Sequence, residues 1–367
     1  MVVVALISMP QKLAIESPGH DPDCYRSGVT DPRSKRLDPA TQAVWAGEDR
    51  YLLDRATQVP VVHSVAFGYE DIDEWQAVAL GEAEGHIYGR NTNPTVAVFE
   101  EKLRVLESAE AATSAATGMA AISSSLHALL APGKRVVSVK DTYGGTSEIF
   151  TSFLPAYGVE VVLVDTTDFD AIEAEIGGGC DVLYLETPTN PTLKILDLER
   201  LSAAAEPAGA IVMVDNTFAT PINQNPLALG ADLVLHSATK VLGGHADALG
   251  GVVAGRADLV ERIFHYREIN GATLDPMGAY LLLRGMKTLH LRVERQNCPA
   301  ELRAFDVASP AAHCPRRHET TVPQQALFLL NGAFAVECAR ALLERPEVRA
   351  CSDPARRIAL LYRLLFG

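Results

Sequence analysis

The sequence predicts an α/β fold built on a mostly parallel sheet. Three observations carry that expectation. Short β-branched runs recur along residues 41–256, helical stretches separate them, and the runs are continuously apolar, as strands covered on both faces are. In order, the predicted strands are Arg135–Val139, Glu160–Val164, Val182–Glu186, Ile211–Asp215, Leu233–His236 and a closing Gly251–Ala254. Between them lie predicted helices such as Val96–Leu106, Ala120–Leu130, Ser147–Leu154 and Leu198–Ala205. No internal repeat is evident. Residues 1–40 are expected to be a mobile arm, because 10–40 are rich in Pro, Asp, Ser and Arg without a sustained period. Near the other end, Leu327–Leu343 and Arg356–Leu365 read as amphipathic helices.

Composition narrows the function classes. The 367 residues are 48% hydrophobic and 21% charged, which excludes a disordered acidic chain and leaves apolar surface for a real core. A formal charge of −14 argues against wrapping nucleic acid, yet permits a local anion site made of a few oriented groups. Six cysteines, at 24, 180, 298, 314, 338 and 351, show no C-x-x-C pair and fit a reducing compartment. His313, Cys314 and His318 lack a second cysteine pair at finger spacing, so no metal is expected. Met1–Met9 is apolar but has no basic stretch and meets Pro10, a poor signal peptide, and Ala326–Ala339 is too short to span a bilayer. The expectation is a soluble cytoplasmic protein with no membrane partner.

In such sheets ligands gather beyond the carboxyl ends of the strands. Val182–Glu186 runs into Thr187-Pro188-Thr189-Asn190-Pro191, Ile211–Asp215 into Asn216-Thr217, and Leu233–His236 into Ser237-Ala238-Thr239-Lys240. Three strands thus bring an Asn, an Asp and a Ser/Thr/Lys group to one edge. Singly these are ordinary: Lys240 reads as a solvated lysine, Asp215 as a cap, Asn190 and Tyr143 as turn residues. Jointly they suit pyridoxal phosphate. A lysine that loses its proton forms a Schiff base with the aldehyde, an aspartate keeps the pyridine nitrogen protonated, and hydroxyls with helix N-terminal amides take the phosphate. Thr117-Gly118-Met119-Ala120 opens a helix that supplies such amides, and Tyr143-Gly144-Gly145 offers a ring to stack on the cofactor.

Residues 41–297 resemble the Cys/Met-metabolism family of pyridoxal-phosphate enzymes. The motifs are Tyr88-Gly89-Arg90-Asn91 with Asn93-Pro94-Thr95, Thr117-Gly118-Met119-Ala120-Ala121, and Asp141-Thr142-Tyr143-Gly144-Gly145-Thr146. Glu186-Thr187-Pro188-Thr189-Asn190-Pro191, Asp215-Asn216-Thr217, Ser237-Ala238-Thr239-Lys240 and Leu282-Leu283-Arg284-Gly285-Met286-Lys287-Thr288-Leu289 complete them. The resemblance implies the large domain of the type I pyridoxal-phosphate transferase fold, like that of aspartate aminotransferase. It implies Lys240 as Schiff-base lysine and mobile base, Asp215 on the ring nitrogen, Tyr143 stacked on the ring and Asn190 on the ring hydroxyl. Gly118, Met119, Ser237 and Thr239 would hold the phosphate, with Glu186 also at the cofactor. Tyr88 and Arg90 would reach the phosphate of a neighbouring subunit, in a homodimer or homotetramer with shared sites.

The family works on small amino-acid substrates in transsulfuration. The wording of the motifs is nearest the cystathionine γ-synthase branch, which replaces the γ-substituent of an O-acyl-homoserine with cysteine. A cystathionine γ- or β-lyase and an O-acylhomoserine sulfhydrylase are the alternatives. Gly145 stands where methionine γ-lyases carry a cysteine, which counts against that activity.

After Asn297 the resemblance stops. The family's small C-terminal domain, with its arginine for the substrate carboxylate, is expected to be replaced by a helical tail over residues 298–367. Arg316-Arg317, Thr320-Thr321-Val322-Pro323-Gln324-Gln325-Ala326-Leu327 and Leu329-Leu330-Asn331 resemble an uncharacterised domain common in large planctomycete proteins. A fused or truncated chain that binds the cofactor but turns over substrate weakly is therefore a further expectation. Arg316, Arg317, Arg340, Arg345 and Arg349 are read as solvated helix-face charges.

Overall fold

The structure is a computed structural model and describes residues 38–48, 57–296 and 340–366. The chain divides into two units, residues 1–289 and 290–367. In the first, seven strands form one sheet. They are β1 (Ala111–Ala115), β2 (Arg135–Val139), β3 (Glu160–Val164), β4 (Val182–Glu186), β5 (Ile211–Asp215), β6 (Leu233–Ser237) and β7 (Gly251–Gly255). Their order is β1-β7-β6-β5-β4-β2-β3, with β7 antiparallel to both neighbours and every other pairing parallel.

All six predicted strands form, two of them one residue longer at the end. The seventh, β1, carries no β-branched run; it is held by its ladder to β7, where Ala111 pairs Gly255 and Ala115 pairs Gly251. Successive residues of a strand face opposite sides, so the two covered faces build two cores. Tyr184, Met213, Leu235 and Val253 pack with Ile122, Leu126, Leu259 and Ile263 on one face. Leu183, Leu185, Val212 and Val214 pack with Ile172, Ile176, Leu198 and Leu201 on the other.

The helices follow their caps. α1 is Pro39–Trp45, capped by Asp38, and α2 is Ile72–Ala79. α3 (Pro94–Leu106) starts on Asn93, whose side chain accepts from the amides of Thr95 and Val96, with Pro94 in the first turn where its missing N–H costs nothing. α4 (Gly118–Leu129) starts on Thr117, which accepts from Ala120 N at 3.0 Å. The expected helix Ser147–Leu154 is instead α5 (Gly144–Glu148), a wider π-type stretch (Ile149–Phe153) and a short turn at Leu154–Ala156, where Pro155 brings no N–H to an ordinary turn. α6 (Phe169–Gly177), α7 (Leu198–Ala205), α8 (Thr220–Asn223), α9 (Ala257–Asn270) and α10 (Pro276–Met286) follow.

A buried charge cluster ties α1 to the body. Lys102 of α3 and Glu48 are both fully buried, 2.6 Å apart, and Lys102 also donates to the carbonyls of Ala43 and Val44. Lys287 closes the cluster on the second oxygen of Glu48 at 2.7 Å. Burial lowers the Lys102 ammonium to about 8, against the pull of Glu48.

In the second unit, helices Pro346–Arg349 and Pro354–Phe366 are described, the latter containing the expected Arg356–Leu365. Most of the expected helix Leu327–Leu343, the stretch Ala326–Ala339, residues 1–37 of the expected arm and the cluster His313, Cys314 and His318 lie outside the described residues. Arg316 and Arg317 lie outside them too. Among the described residues no helix is long and apolar enough to cross a membrane, and no group of His, Cys, Asp and Glu is set to hold a metal.

Candidate cofactor site

β4, β5 and β6 are parallel neighbours, so their ends emerge on one edge, and a cleft of about 210 Å³ opens there. Nine of the eleven residues expected from the sequence line it: Gly118, Met119, Tyr143, Glu186, Asn190, Asp215, Ser237, Thr239 and Lys240. The other two, Tyr88 and Arg90, do not. Arg90 donates to Glu268 O at 2.7 Å, and its guanidinium lies 5.7 Å from the Tyr88 ring. Buried Arg267 of α9 holds the carbonyls of Arg90 and Asn91, which fixes this loop on the end of α9 with Tyr88 exposed.

One wall suits an anion. The first turn of α4 presents Gly118 and Met119 beside Ser237 and Thr239. A Cβ at Gly118 would stand 2.6 Å from Ser237 Cβ and 2.7 Å from its Oγ, so only glycine lets the helix N-terminus come this close. Thr239 is fixed by accepting the Gly250 N–H at 3.1 Å. Lys240 follows in the same turn, its N–H on Ser237 O at 3.1 Å, with its side chain exposed at the cleft.

The floor is acidic. Buried Asp215 accepts the Thr217 N–H at 3.0 Å and the Thr217 hydroxyl at 2.5 Å on one oxygen; its second oxygen receives the Tyr184 hydroxyl at 3.4 Å. Burial pushes the Asp215 carboxyl upward, opposed by the two Thr217 donors and by the nearby His236. Glu186, paired with Asp215 across the β4–β5 ladder, is raised to about 7 by burial and by the Asp215 charge, against the amides it accepts. Behind the edge, His236 Nε2 lies 2.6 Å from Glu107, both buried.

Tyr143 forms the remaining wall, 44% exposed and therefore free to meet a ligand face. A Cβ at Gly145 would lie 2.8 Å from Met119 Sδ and 2.9 Å from the Tyr143 ring, so this glycine lets Tyr143 and Met119 close over it.

Sequence reasoning left Thr217 and Tyr184 without site roles. Thr217 is the joint of the site, because it donates to Asp215 and accepts the Ser237 N–H at 2.8 Å. Its signal was its place two residues past a strand end. Tyr184 shows no such signal, since it reads as one apolar strand position.

Pyridoxal phosphate fits these residues. The cradle that a Cβ at Gly118 would fill, the buried carboxylate of Asp215, the amine of Lys240 and the open face of Tyr143 match its phosphate, ring nitrogen, aldehyde and ring.

A family model described as Cys/Met metabolism PLP-dependent enzyme matches residues 40–308, and one described as a protein of unknown function (DUF1553) matches residues 252–367. Cystathionine gamma-synthase 1, chloroplastic, of Nicotiana tabacum is 41% identical over 75% of this chain and 51% of its own length, so the chain spans about half of that relative. L-methionine gamma-lyase of Fusobacterium nucleatum subsp. polymorphum is 41% identical over 71% of this chain and 67% of its own. The crystal structure of cystathionine gamma-lyase from Lactobacillus plantarum, complexed with L-serine, superposes with a TM-score of 0.68, with 35% identity over 73% of this chain and 68% of that one. On these grounds the chain belongs to the Cys/Met metabolism PLP-dependent enzyme family.

Proposed function

We propose that the chain is a pyridoxal-phosphate-dependent transsulfuration enzyme that performs γ-replacement on an O-acyl-homoserine with cysteine. The observation that carries this reading is the meeting of Lys240, Asp215 and the Gly118–Ser237 cradle on one cleft. When bound, the cofactor supplies an electron sink for negative charge at the substrate carbons. Asp215 keeps a proton on the ring nitrogen, helped by the donors of Thr217 that favour its ionised form. Lys240 would hold the cofactor's aldehyde end and carry protons at the substrate. Tyr143 would stack on the ring and assist the leaving group, and Asn190 would meet the ring hydroxyl. The amides of Gly118 and Met119, with Ser237 and Thr239, bind the phosphate. Gly145, which stands where methionine γ-lyases carry a cysteine, counts against methionine γ-elimination; a side chain there would have to displace Met119 or the Tyr143 ring.

The substrate is a small amino acid, and the assembly is a homodimer or homotetramer in which Tyr88 and Arg90 serve the neighbour's phosphate. Their exposed loop, held away from this chain's own cleft, supports that reading. Residues 41–297 would be the cofactor domain and 298–367 an added tail. A second reading, a chain that keeps the cofactor but lacks the substrate clamp, is favoured by the unknown-function match over residues 252–367.

Purified protein with cofactor, given O-acyl-homoserine plus cysteine or cystathionine alone, tests the reading. Cystathionine formation supports γ-replacement, and consumption of cystathionine supports a lyase. Cofactor fixed to Lys240 by borohydride without any turnover supports the second reading. Fixation to another lysine refutes the site.

A further inference from the structure

We infer that Glu186 is a positioning residue of the cofactor slot: its carboxylate fixes the backbone of Tyr143 and of Asn190, and so sets two walls of the ring site together. The inference rests on the cofactor assignment proposed above and gives Glu186 a role exerted through its neighbours.

The geometry is reciprocal. Glu186, 4% exposed, ends β4. Its Oε2 accepts the Tyr143 N–H at 2.8 Å, and its Oε1 accepts the Asn190 N–H at 2.7 Å. Tyr143 belongs to the loop after β2 and Asn190 to the loop after β4, two segments with no strand ladder at these positions. One side chain therefore sets the stacking ring and the partner of the ring hydroxyl. Only a carboxylate presents two acceptors in this way, since an amide of the same shape turns a donor toward one of the two N–H groups.

The cost of the arrangement is electrostatic. The register that aligns Glu186 with Asp215 places two buried carboxylates side by side. Asp215 faces Glu186 from β5, Tyr184 from its own strand, Tyr143 from the loop after β2 and Lys240 from the turn after β6; α4 contributes the uncharged Gly118, Met119 and Ile122 to the same cleft. Burial and the Asp215 charge hold Glu186 at about 7, so without ligand the pair keeps one proton near neutral pH. A cationic ring nitrogen opposite Asp215 relieves the repulsion, and the ionised pair then holds both loops. Loading below pH 7 must release that proton, so affinity should fall by up to about tenfold per pH unit.

The test uses the full cofactor-free chain and pyridoxine 5′-phosphate, whose alcohol cannot bond to Lys240. Dissociation constants are measured from pH 6 to pH 8.5 for the natural protein and for Glu186→Gln. The ligand's own ionisations act on both proteins and cancel in the comparison. At pH 8 the variant should bind roughly 10- to 100-fold more weakly, the loss of one charge-assisted hydrogen bond. The extra slope below pH 7 should disappear with it. A uniform loss with an unchanged slope would support the grip of Glu186 on both loops without the proton release, and unchanged binding would overturn the inference. No binding by the natural protein at any pH would instead refute the cofactor assignment, and the inference with it. Should Glu186→Gln fail to fold, hydrogen exchange on the natural protein decides. Amide protection at Tyr143 and Asn190, corrected for intrinsic rate, should drop about tenfold or more between pH 8 and pH 6 without ligand. Constant protection would overturn the inference.

Discussion

Thr217→Val removes one hydroxyl and almost no volume, and it strikes the joint of the site. That hydroxyl gives Asp215 a 2.5 Å hydrogen bond and receives the Ser237 N–H at 2.8 Å. A hydrogen bond to a buried charge contributes about 1.5–3 kcal/mol. The Ser237 amide is only part-buried, so losing its acceptor costs about 1 kcal/mol more. The cofactor-free protein should lose about 2–4 kcal/mol of stability, read as a shift of the urea midpoint at pH 8. Cofactor affinity should fall too, for a separate reason. The hydroxyl is the largest of the influences that hold the Asp215 carboxyl down against burial, so its removal raises the carboxyl further and favours the neutral form. A neutral acid pairs poorly with a pyridinium. Thr217→Ser keeps the hydroxyl and should stay within about 1 kcal/mol, the size of a lost methyl. If Thr217→Val matches the natural protein within about 0.5 kcal/mol and binds cofactor equally well, Thr217 is not the joint described here.

Three further outcomes follow from the same geometry. Gly118→Ala forces a Cβ to within 2.6 Å of Ser237 Cβ, so cofactor affinity should fall about 10-fold or more and the cofactor-free protein should lose about 1–3 kcal/mol of stability; equal affinity in a fluorescence titration would contradict the cradle. Lys102→Met strips the buried Glu48 of its closest cation and two carbonyls of their donor, and about 3 kcal/mol of stability should go, measured by urea unfolding; a neutral effect would show that Lys287 alone suffices. The third concerns pH. Glu186 is raised from 4.5 to about 7, so the folded cofactor-free protein holds an extra proton in that window. The associated stability is present below 4.5 and is lost as pH rises through 7, by up to about 3 kcal/mol, and Glu186→Gln should flatten this part of the urea-midpoint profile.

How much of this was legible depended on what each feature rests on. Val182–Glu186 and Leu233–His236 read as strands because double-sided burial demands an apolar run, and that demand is written residue by residue. Ala111–Ala115 is a strand only through its ladder to β7, a long-range pairing with no local mark. Lys240, Asp215 and Asn190 were legible as a site because parallel neighbours must deliver their ends to one edge. The grip of Glu186 on two backbone amides was not, for a hydrogen bond to another residue's N–H leaves no trace in that residue's identity. Tyr88 and Arg90 mark another limit. Their motif was readable, but the cleft of their own chain does not use them.

The acidic floor and the anion cradle are best understood as one device. Two carboxylates set side by side out of water repel, and each is pushed toward its neutral form. A core residue would avoid such a pair, because an apolar side chain of similar volume costs less there. The pair makes sense if a cation arrives between protein and solvent. A protonated pyridine would satisfy Asp215, and its phosphate would meet the amides of α4 beside Ser237 and Thr239, so such a ligand would carry the complement of both poles. The cofactor-free protein should then be strained at this edge and stabilised on loading by RT ln(1 + [L]/Kd), about 2.7 kcal/mol at a hundredfold excess over Kd. Stabilisation would therefore concentrate in the loops after β2, β4 and β6, where Tyr143, Asn190 and Lys240 stand.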